Sequence, residues 1–312
     1  MSGPGRSGLA RWWFPALPAA RIAVLRAAVY LFVIFDVYVL VNDVVPHAQA
    51  PDSLYRPIAV PRALHLPPPD LAWVEPLRAA LILAALVAAT GRLPRLAGWF
   101  VAFGFLEWTF LGMSYGKVDH DQFALLVALF VLPTVGRREW DDRTPDEAAG
   151  WALRCVQVAV VATYVLSVWA KVSKGGWDWP TGATFYWAVE RRGTFLGQHL
   201  LQAPELLVVA QWVVFVAEAL AWLVFVLRGR ARTALIVFYL GFHLVTYAMI
   251  SIHFLPLVVC WSAFAPLEAV PGLLRGGLAR LGGVAVRAHP AGGSPAGQPG
   301  AVVRDQPVDG VG

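Results

Sequence analysis

The chain runs to 312 residues, of which 58% are hydrophobic and 14% charged, with a mean hydropathy of +0.60 and a net charge of +5. A soluble domain carries about 25% charged residues, so this composition excludes an ordinary water-soluble fold and makes lipid the expected solvent. The basic balance sits between apolar runs, where it reports membrane topology rather than nucleic-acid binding.

Residues 1–20 carry Arg6 and Arg11 and read as a cytoplasmic N-terminal segment. The apolar run that follows is too long for a signal peptide and lacks a small-residue cleavage site. A span needs about 20 mostly apolar residues. That length is met, or nearly met, by Ile22–Val41, Leu71–Thr90, Leu96–Ser114, Trp151–Val172, Glu205–Leu227 and Arg232–Ile250. Gln122–Val135 is shorter and extends back through Asp119-His120-Asp121, and a weaker eighth run from Ile252 to about Val270 is interrupted by Pro256 and Pro266. The two cysteines, Cys155 and Cys260, lie inside apolar runs, and no Cys/His spacing suits a metal, so no disulfide framework or metal site is expected.

The expected fold is therefore all-α: a polytopic bundle of about eight transmembrane helices over residues 21–271, with a disordered Gly/Pro/Ala-rich cytoplasmic tail over 272–312. With the N-terminus inside, the cytoplasmic segments hold Arg92, Arg95, Arg137, Arg138, Arg143, Arg228, Arg230 and Arg232 besides the N-terminal and C-terminal arginines. The outer loops hold only Arg56, Arg62, Lys117, Lys174, Arg191 and Arg192. This bias follows the positive-inside rule. It brings Lys171, His120 and His253, from three separate spans, toward one outer face.

Several ionisable groups fall inside or beside the spans. His120, in Lys117-Val-Asp-His-Asp121-Gln, is flanked by two carboxylates that can orient it or keep it protonated. The same aspartates also read as a helix start, with Asp119 as cap and Asp121 favoured by the helix dipole. Tyr164, Ser167 and Lys171 recur at i, i+3 and i+7 on one helix face. Desolvation disfavours an ammonium, and a neutral amine is a competent base; against that stands a lysine that snorkels to the headgroups from a span end. Glu218 sits in Val-Val-Phe-Val-Ala-Glu-Ala-Leu, seven residues after Gln211, and a carboxylate at that depth must face protein or water. His243 shares a face with Tyr239 and Tyr247. Both Glu218 and His243 read as cavity-lining or as interhelical hydrogen bonds that hold the bundle. Asp36 and Glu107 have apolar neighbours and need partners; Arg78 and Arg154 lie near span ends and can snorkel. Gly175-Gly176 reads as a helix stop.

Taken in order, these pieces resemble the HTTM family, bacterial membrane proteins related to the membrane part of the vitamin K-dependent gamma-carboxylase. Tyr164…Lys171…Trp179-Pro-Thr-Gly182 is similar to the family's aromatic–Lys–Trp–x–x–Gly segment. His120-Asp-Gln-Phe-Ala-Leu-Leu resembles its His-led span start, Glu218 falls where the family has a Glu, and Phe242-His243-Leu…Ile252-His253-Phe-Leu-Pro256 resembles its Phe-His…Phe-Pro segment. The match covers roughly residues 20–270.

The resemblance implies that Lys171 is a base acting on a reduced quinone, that His120 assists, and that Tyr164, Trp179, Glu218, His243 and His253 bind substrate or line the cavity. It implies carboxylase- or monooxygenase-like chemistry with a reduced quinone as cofactor, a quinone or lipid-like ligand, and a place in the bacterial cytoplasmic membrane. The chain departs from the carboxylase in having Ala170-Lys171 where a double lysine stands, and in lacking a large lumenal domain. An accessory membrane protein that assists export or maturation of a secreted peptide is the alternative expectation. A transporter is a third, weakened by the absence of internal repeats.

Overall fold

The computed structural model describes residues 7–41 and 43–275, and their regular secondary structure is helical apart from one short strand pair. Among the described residues, five helices are long and apolar enough to cross a membrane, and seven segments are if two bent helix pairs each make one span. The chain is thus a helical protein with several membrane-crossing segments.

The first long helix, α1 (Ala19–Phe35), continues through a π-helical turn, Asp36–Leu40. It is buried along most of its length and packs against α2 (Leu71–Ala89). The latter packs against α3 (Leu96–Met113), and α3 against α4 (Gln122–Val131). The longest helix, α5 (Glu147–Gly175), packs on α4 and reaches α1. After it come α6 (Thr184–Arg192), α7 (Pro204–Ala219), α8 (Gly229–Ile250) and α9 (Leu255–Trp261). This last short helix packs against α1, α4 and α5.

Three expected spans differ from their outlines. The fourth does not extend back through Asp119–Asp121: those residues form a loop, because Asp121 takes the N-cap position and helix begins at Gln122. The sixth ends early at Ala219, turns, and resumes as the short helix Leu223–Val226. Phe195–Gln202 meets it at 113° on its other side, ahead of Pro204, whose ring cannot continue a helix from before it. The eighth is a set of short helical pieces, Leu255–Trp261, Ser262–Phe264 and Leu267–Ala269, divided at Ala265-Pro266. Of the expected C-terminal tail, residues 272–275 are helical and the remainder lies outside the described residues.

The in-span charges find protein partners. Arg26, 1% exposed, donates to the carbonyls of Val135 (2.8 Å) and Gly136 (3.0 Å) just past the end of α4. The Asp36 carboxylate accepts from Gln122 Nε2 at 3.1 and 3.3 Å, which ties the π-helical turn to the start of α4. Glu107 accepts from Trp73 Nε1 at 2.8 Å. Arg78 pairs with Glu75 at 2.7 Å, and Arg154 lies over the Trp12 ring at 4.5 Å and donates to Gln157.

The start of α5 is held by β1 (Leu17–Pro18) and β2 (Pro145–Asp146), an antiparallel pair with Leu17 opposite Asp146. Asp146 caps the helix through the Ala148 amide at 2.9 Å and also pairs with Arg138. The closeness of this crossing requires glycine at Gly150, where an added Cβ would stand 1.6 Å from the Pro15 carbonyl oxygen. Gly150→Ala should therefore destabilise by about 1–3 kcal/mol or more through overpacking. Gly241→Ala, in open space on α8, should stabilise by up to about 1 kcal/mol. Thermal unfolding in detergent checks both; a destabilised Gly241→Ala beside an unaffected Gly150→Ala would contradict the crossing geometry.

Candidate functional site

The last turns of α5 build the site. Tyr164, Ser167 and Lys171 climb one face over roughly 10 Å, at 1.5 Å per residue. The helix stops at Gly176, whose φ of 65° lies in the region open to glycine. The chain then doubles back through a single turn, Gly176–Asp178, and lays the Trp179 ring 4.8 Å from Lys171 Nζ, a cation–π contact.

Lys171 Nζ donates to Ser167 Oγ at 2.9 Å and makes an ion pair with Glu218 of α7. The two side chains are only 15% and 10% exposed, so neither is a headgroup-seeking surface charge. The snorkelling reading of Lys171 does not describe this geometry: its charge is met inside the protein. A lysine and a carboxylate in direct contact can share one proton, as ammonium with carboxylate or as amine with acid. An amine is then available without any net charge being buried.

Gln211 is the residue whose importance the sequence conceals. Seven residues before Glu218 on α7 and 1% exposed, it clamps the returning turn. Its Nε2 donates to the Trp179 carbonyl and to Gly182 O at 3.2 Å, while its Oε1 accepts from the Phe185 amide at 2.8 Å. One side chain thus fixes where Trp179 stands over Lys171.

Deeper along α5, Tyr164 joins three elements. Its hydroxyl lies 2.6 Å from His243 Nε2 on α8 and accepts from Trp261 Nε1 on α9 at 2.9 Å. Tyr239 stacks on Trp261 with ring centroids 5.1 Å apart and donates to Ala217 O at 2.6 Å. The expected interhelical role of His243 and its place at a cavity wall hold together in one arrangement. Nothing in the sequence marked Trp261 as their partner.

Between these groups lies a cavity of about 370 Å³. His120, Tyr164, Lys171, Trp179, Glu218 and His243 all line it, with Ser167, Phe185, Leu207, Val214, Met249 and Phe254 among the rest. His120 stands in the loop ahead of α4, its ring 5.9 Å from that of Phe254. Burial and the positive charge of Lys171 hold its imidazole below the usual range against the opposing pull of Asp119. His253 is not among the lining residues. Its imidazole is likewise lowered, by burial and by Lys117, and its Nδ1 is buried without a partner. Asp119 pairs with Lys117 at 2.8 Å. Among the described residues no three His, Cys, Asp or Glu side chains stand together as a metal site would require.

Comparisons with protein-family models, with curated proteins and with solved structures found no match.

Removing one partner of the Lys171–Glu218 pair leaves a buried charge uncompensated, a loss of about 3–5 kcal/mol, whereas replacing both by apolar side chains of similar size is often neutral. Lys171→Met and Glu218→Leu should each destabilise by about 3 kcal/mol, and the double variant by less than either alone. Additive losses in denaturant unfolding would show that the pair is not coupled. Next to the site, the Asp121 carboxyl is pushed up to about 7 by burial and by the charge of Asp119, whereas an unfolded aspartate titrates near 3.9. The folded state therefore binds this proton more tightly, and stability from this group falls as pH rises from about 4 to about 7. Asp121→Asn should flatten that slope and give its largest gain in stability above pH 7; an unchanged slope would refute the assignment.

Proposed function

We propose that the protein is an HTTM-like, gamma-carboxylase-related protein of the bacterial cytoplasmic membrane whose cavity binds a quinone or similar lipid-like molecule, with Lys171 as the base. The observation that carries this reading is a largely apolar cavity whose ionisable wall groups, Lys171, Glu218, His120 and His243, stand together with Tyr164 and Trp179. An apolar pocket with a few convergent polar groups is the usual form of a small-molecule site. The excess of arginine in the segments assigned to the inside supports a cytoplasmic N-terminus. The short helix Gln122–Thr134, beside the five long apolar helices and two bent pairs, supports a reading of eight crossings with the cavity toward the outer face.

The chemistry follows from the ion pair. With its proton passed to Glu218, the Lys171 amine would be the group placed to accept a hydroxyl proton from a reduced quinone, which Lys171, Trp179 and the apolar walls would hold. Ser167 keeps the amine in place, and His120 lines the same cavity as a second group that could take a proton. A quinone bound there would supply the reaction with dioxygen that follows its deprotonation, so oxygen uptake would read the action of the Lys171 base. The apolar walls keep water from the reacting centre. Carboxylation of a secreted peptide would need that peptide to be presented at the cavity. A role confined to assisting such a partner is the other outcome of the test.

With a reduced naphthoquinone and the protein in lipid nanodiscs, oxygen consumption should be measurable in the wild type. It should fall at least a hundredfold in Lys171→Ala, consistent with loss of a general base, typically about 10²–10⁴-fold. Equal uptake by both proteins, with the fold intact, overturns the proposal. No uptake by either, together with a polypeptide crosslinked from the outer loops, would replace it with the accessory role.

A further inference from the structure

The chain has three lysines, Lys117, Lys171 and Lys174, and they stand in different surroundings. Lys117 and Lys174 are exposed. Lys171 is on the wall of the apolar cavity, and its side chain keeps 15% of its surface. A lysine in water is an ammonium at neutral pH in all but about one molecule in 10³, and an ammonium has no lone pair to offer. Lys171 differs because Glu218 touches it. With the proton on Glu218, Nζ is an amine and its neighbour is a carboxylic acid.

An amine and an acid in contact are the two reagents of imine formation, and a lysine in an apolar pocket is the usual group for it. The Nζ lone pair forms a C–N bond to a carbonyl carbon as the C=O π bond opens. One amine proton moves to the oxygen, giving a carbinolamine. Glu218 adds its proton to the same oxygen, the C–O bond breaks, and water leaves. The product is a protonated imine with one N–H, beside a Glu218 carboxylate. The site is uncharged overall before and after, so no new net charge is buried. Around the iminium stand Ser167 Oγ, 2.9 Å from Nζ, and the face of Trp179, 4.8 Å from Nζ, which favours a cation.

The rest of the cavity suits the chain such a carbonyl would carry. From Lys171 the wall descends α5 through Tyr164 to Thr163, roughly 12 Å at 1.5 Å per residue. Leu207, Val214, Phe242 and Val245 also line it. Apolar walls exclude the water that would hydrolyse an imine. A ligand with its own charge would find no counter-charge beyond the pair already matched.

We propose that Lys171 forms a Schiff base in this cavity with an uncharged, medium-chain aldehyde, Glu218 acting as the acid that expels water and then as the counter-ion. This goes beyond the quinone reading and does not depend on it. It uses the same pair of side chains, but no quinone and no oxidation.

The test is reductive trapping of the full chain in nanodiscs of phosphatidylcholine, whose headgroup has no primary amine. Decanal and cyanoborohydride are added at neutral pH, and the three lysines are followed by peptide mass mapping. Lys171 should be alkylated at least about tenfold faster than Lys117 or Lys174, which water keeps as ammonium. Decane, which can fill the cavity without reacting, should slow Lys171 alone. Glu218→Gln should slow Lys171 about a hundredfold, the usual loss with a general acid, and leave Lys117 and Lys174 unchanged. Equal labelling of the three lysines in the wild type, or a preference for Lys171 that decane does not reduce, overturns the proposal whether or not the variant folds. Undiminished labelling of Lys171 in Glu218→Gln also overturns it. Trapping at Lys171 without oxygen uptake from a reduced naphthoquinone supports this proposal and removes the quinone reading. Lys171-dependent oxygen uptake without trapping does the reverse.

Discussion

The site depends on one contact, that between Lys171 and Glu218. In lipid neither charge has water to fall back on, and each alone would be costly. Together they are tolerated, and the requirement that they meet fixes α5 against α7 at one depth and one rotation. Everything around the cavity takes its place from that constraint. Ser167 lies one turn below on the same face. The glycine stop at Gly176 returns Trp179 over the ammonium, and Gln211, on the same face of α7 as Glu218, holds that return.

The rest of the molecule applies the same rule with other groups. On α8 the buried residues are Tyr239 and His243, so this helix turns its apolar side chains outward and its hydrogen-bonding ones inward. In water such a helix would be inside out. In a bilayer there is no hydrophobic drive between helices, so packing and interhelical hydrogen bonds hold the bundle. Arg26 binding the chain end beyond α4, and Asp36 binding Gln122, do for the α1 side what Lys171 and Glu218 do for the α7 side. The π-helical turn at Asp36 is part of this. Such turns arise as local insertions in a helix and are frequent at functional positions, and here it ends the helix beside the loop that carries His120.

The outlines of the long spans were legible because twenty apolar residues are a strong signal. The face shared by Tyr164, Ser167 and Lys171 followed from helical spacing alone. The pairings were not legible: Lys171 and Glu218 lie 47 residues apart and Tyr164 and Trp261 lie 97 apart, and no local pattern encodes such distances. The residues that the sequence could name only as needing partners, Asp36 and Glu107, found uncharged donors, Gln122 and Trp73. A search for opposite charges would have passed over both. Gln211 was visible only as a polar residue seven before Glu218, and its role depends on the carbonyls of a turn whose path the sequence does not reveal. The same holds for the breaks. Pro266 was on view as a breaker, but the early end of α7 at Ala219 has no proline or glycine to announce it.

Those breaks explain why there is a cavity at all. At 1.5 Å per residue, α4 and α9 cover only about 15 and 10 Å and α7 about 24 Å, against a hydrocarbon core of about 30 Å. Short and bent segments cannot fill the layer with continuous helix. The non-helical backbone they leave is tolerated at membrane depth only where protein or a cavity surrounds it. Here the loop before α4 supplies His120, the turn after α5 supplies Trp179, and the link between α8 and α9 supplies Ile252 and Phe254, all to the cavity wall. Continuous spans in place of these segments would satisfy lipid better, but would carry those side chains out of reach of Lys171. The chain's departures from ideal membrane helices are thus concentrated where they place polar and aromatic groups around the Lys171–Glu218 pair, as expected if selection has acted on the cavity rather than on the bundle's stability.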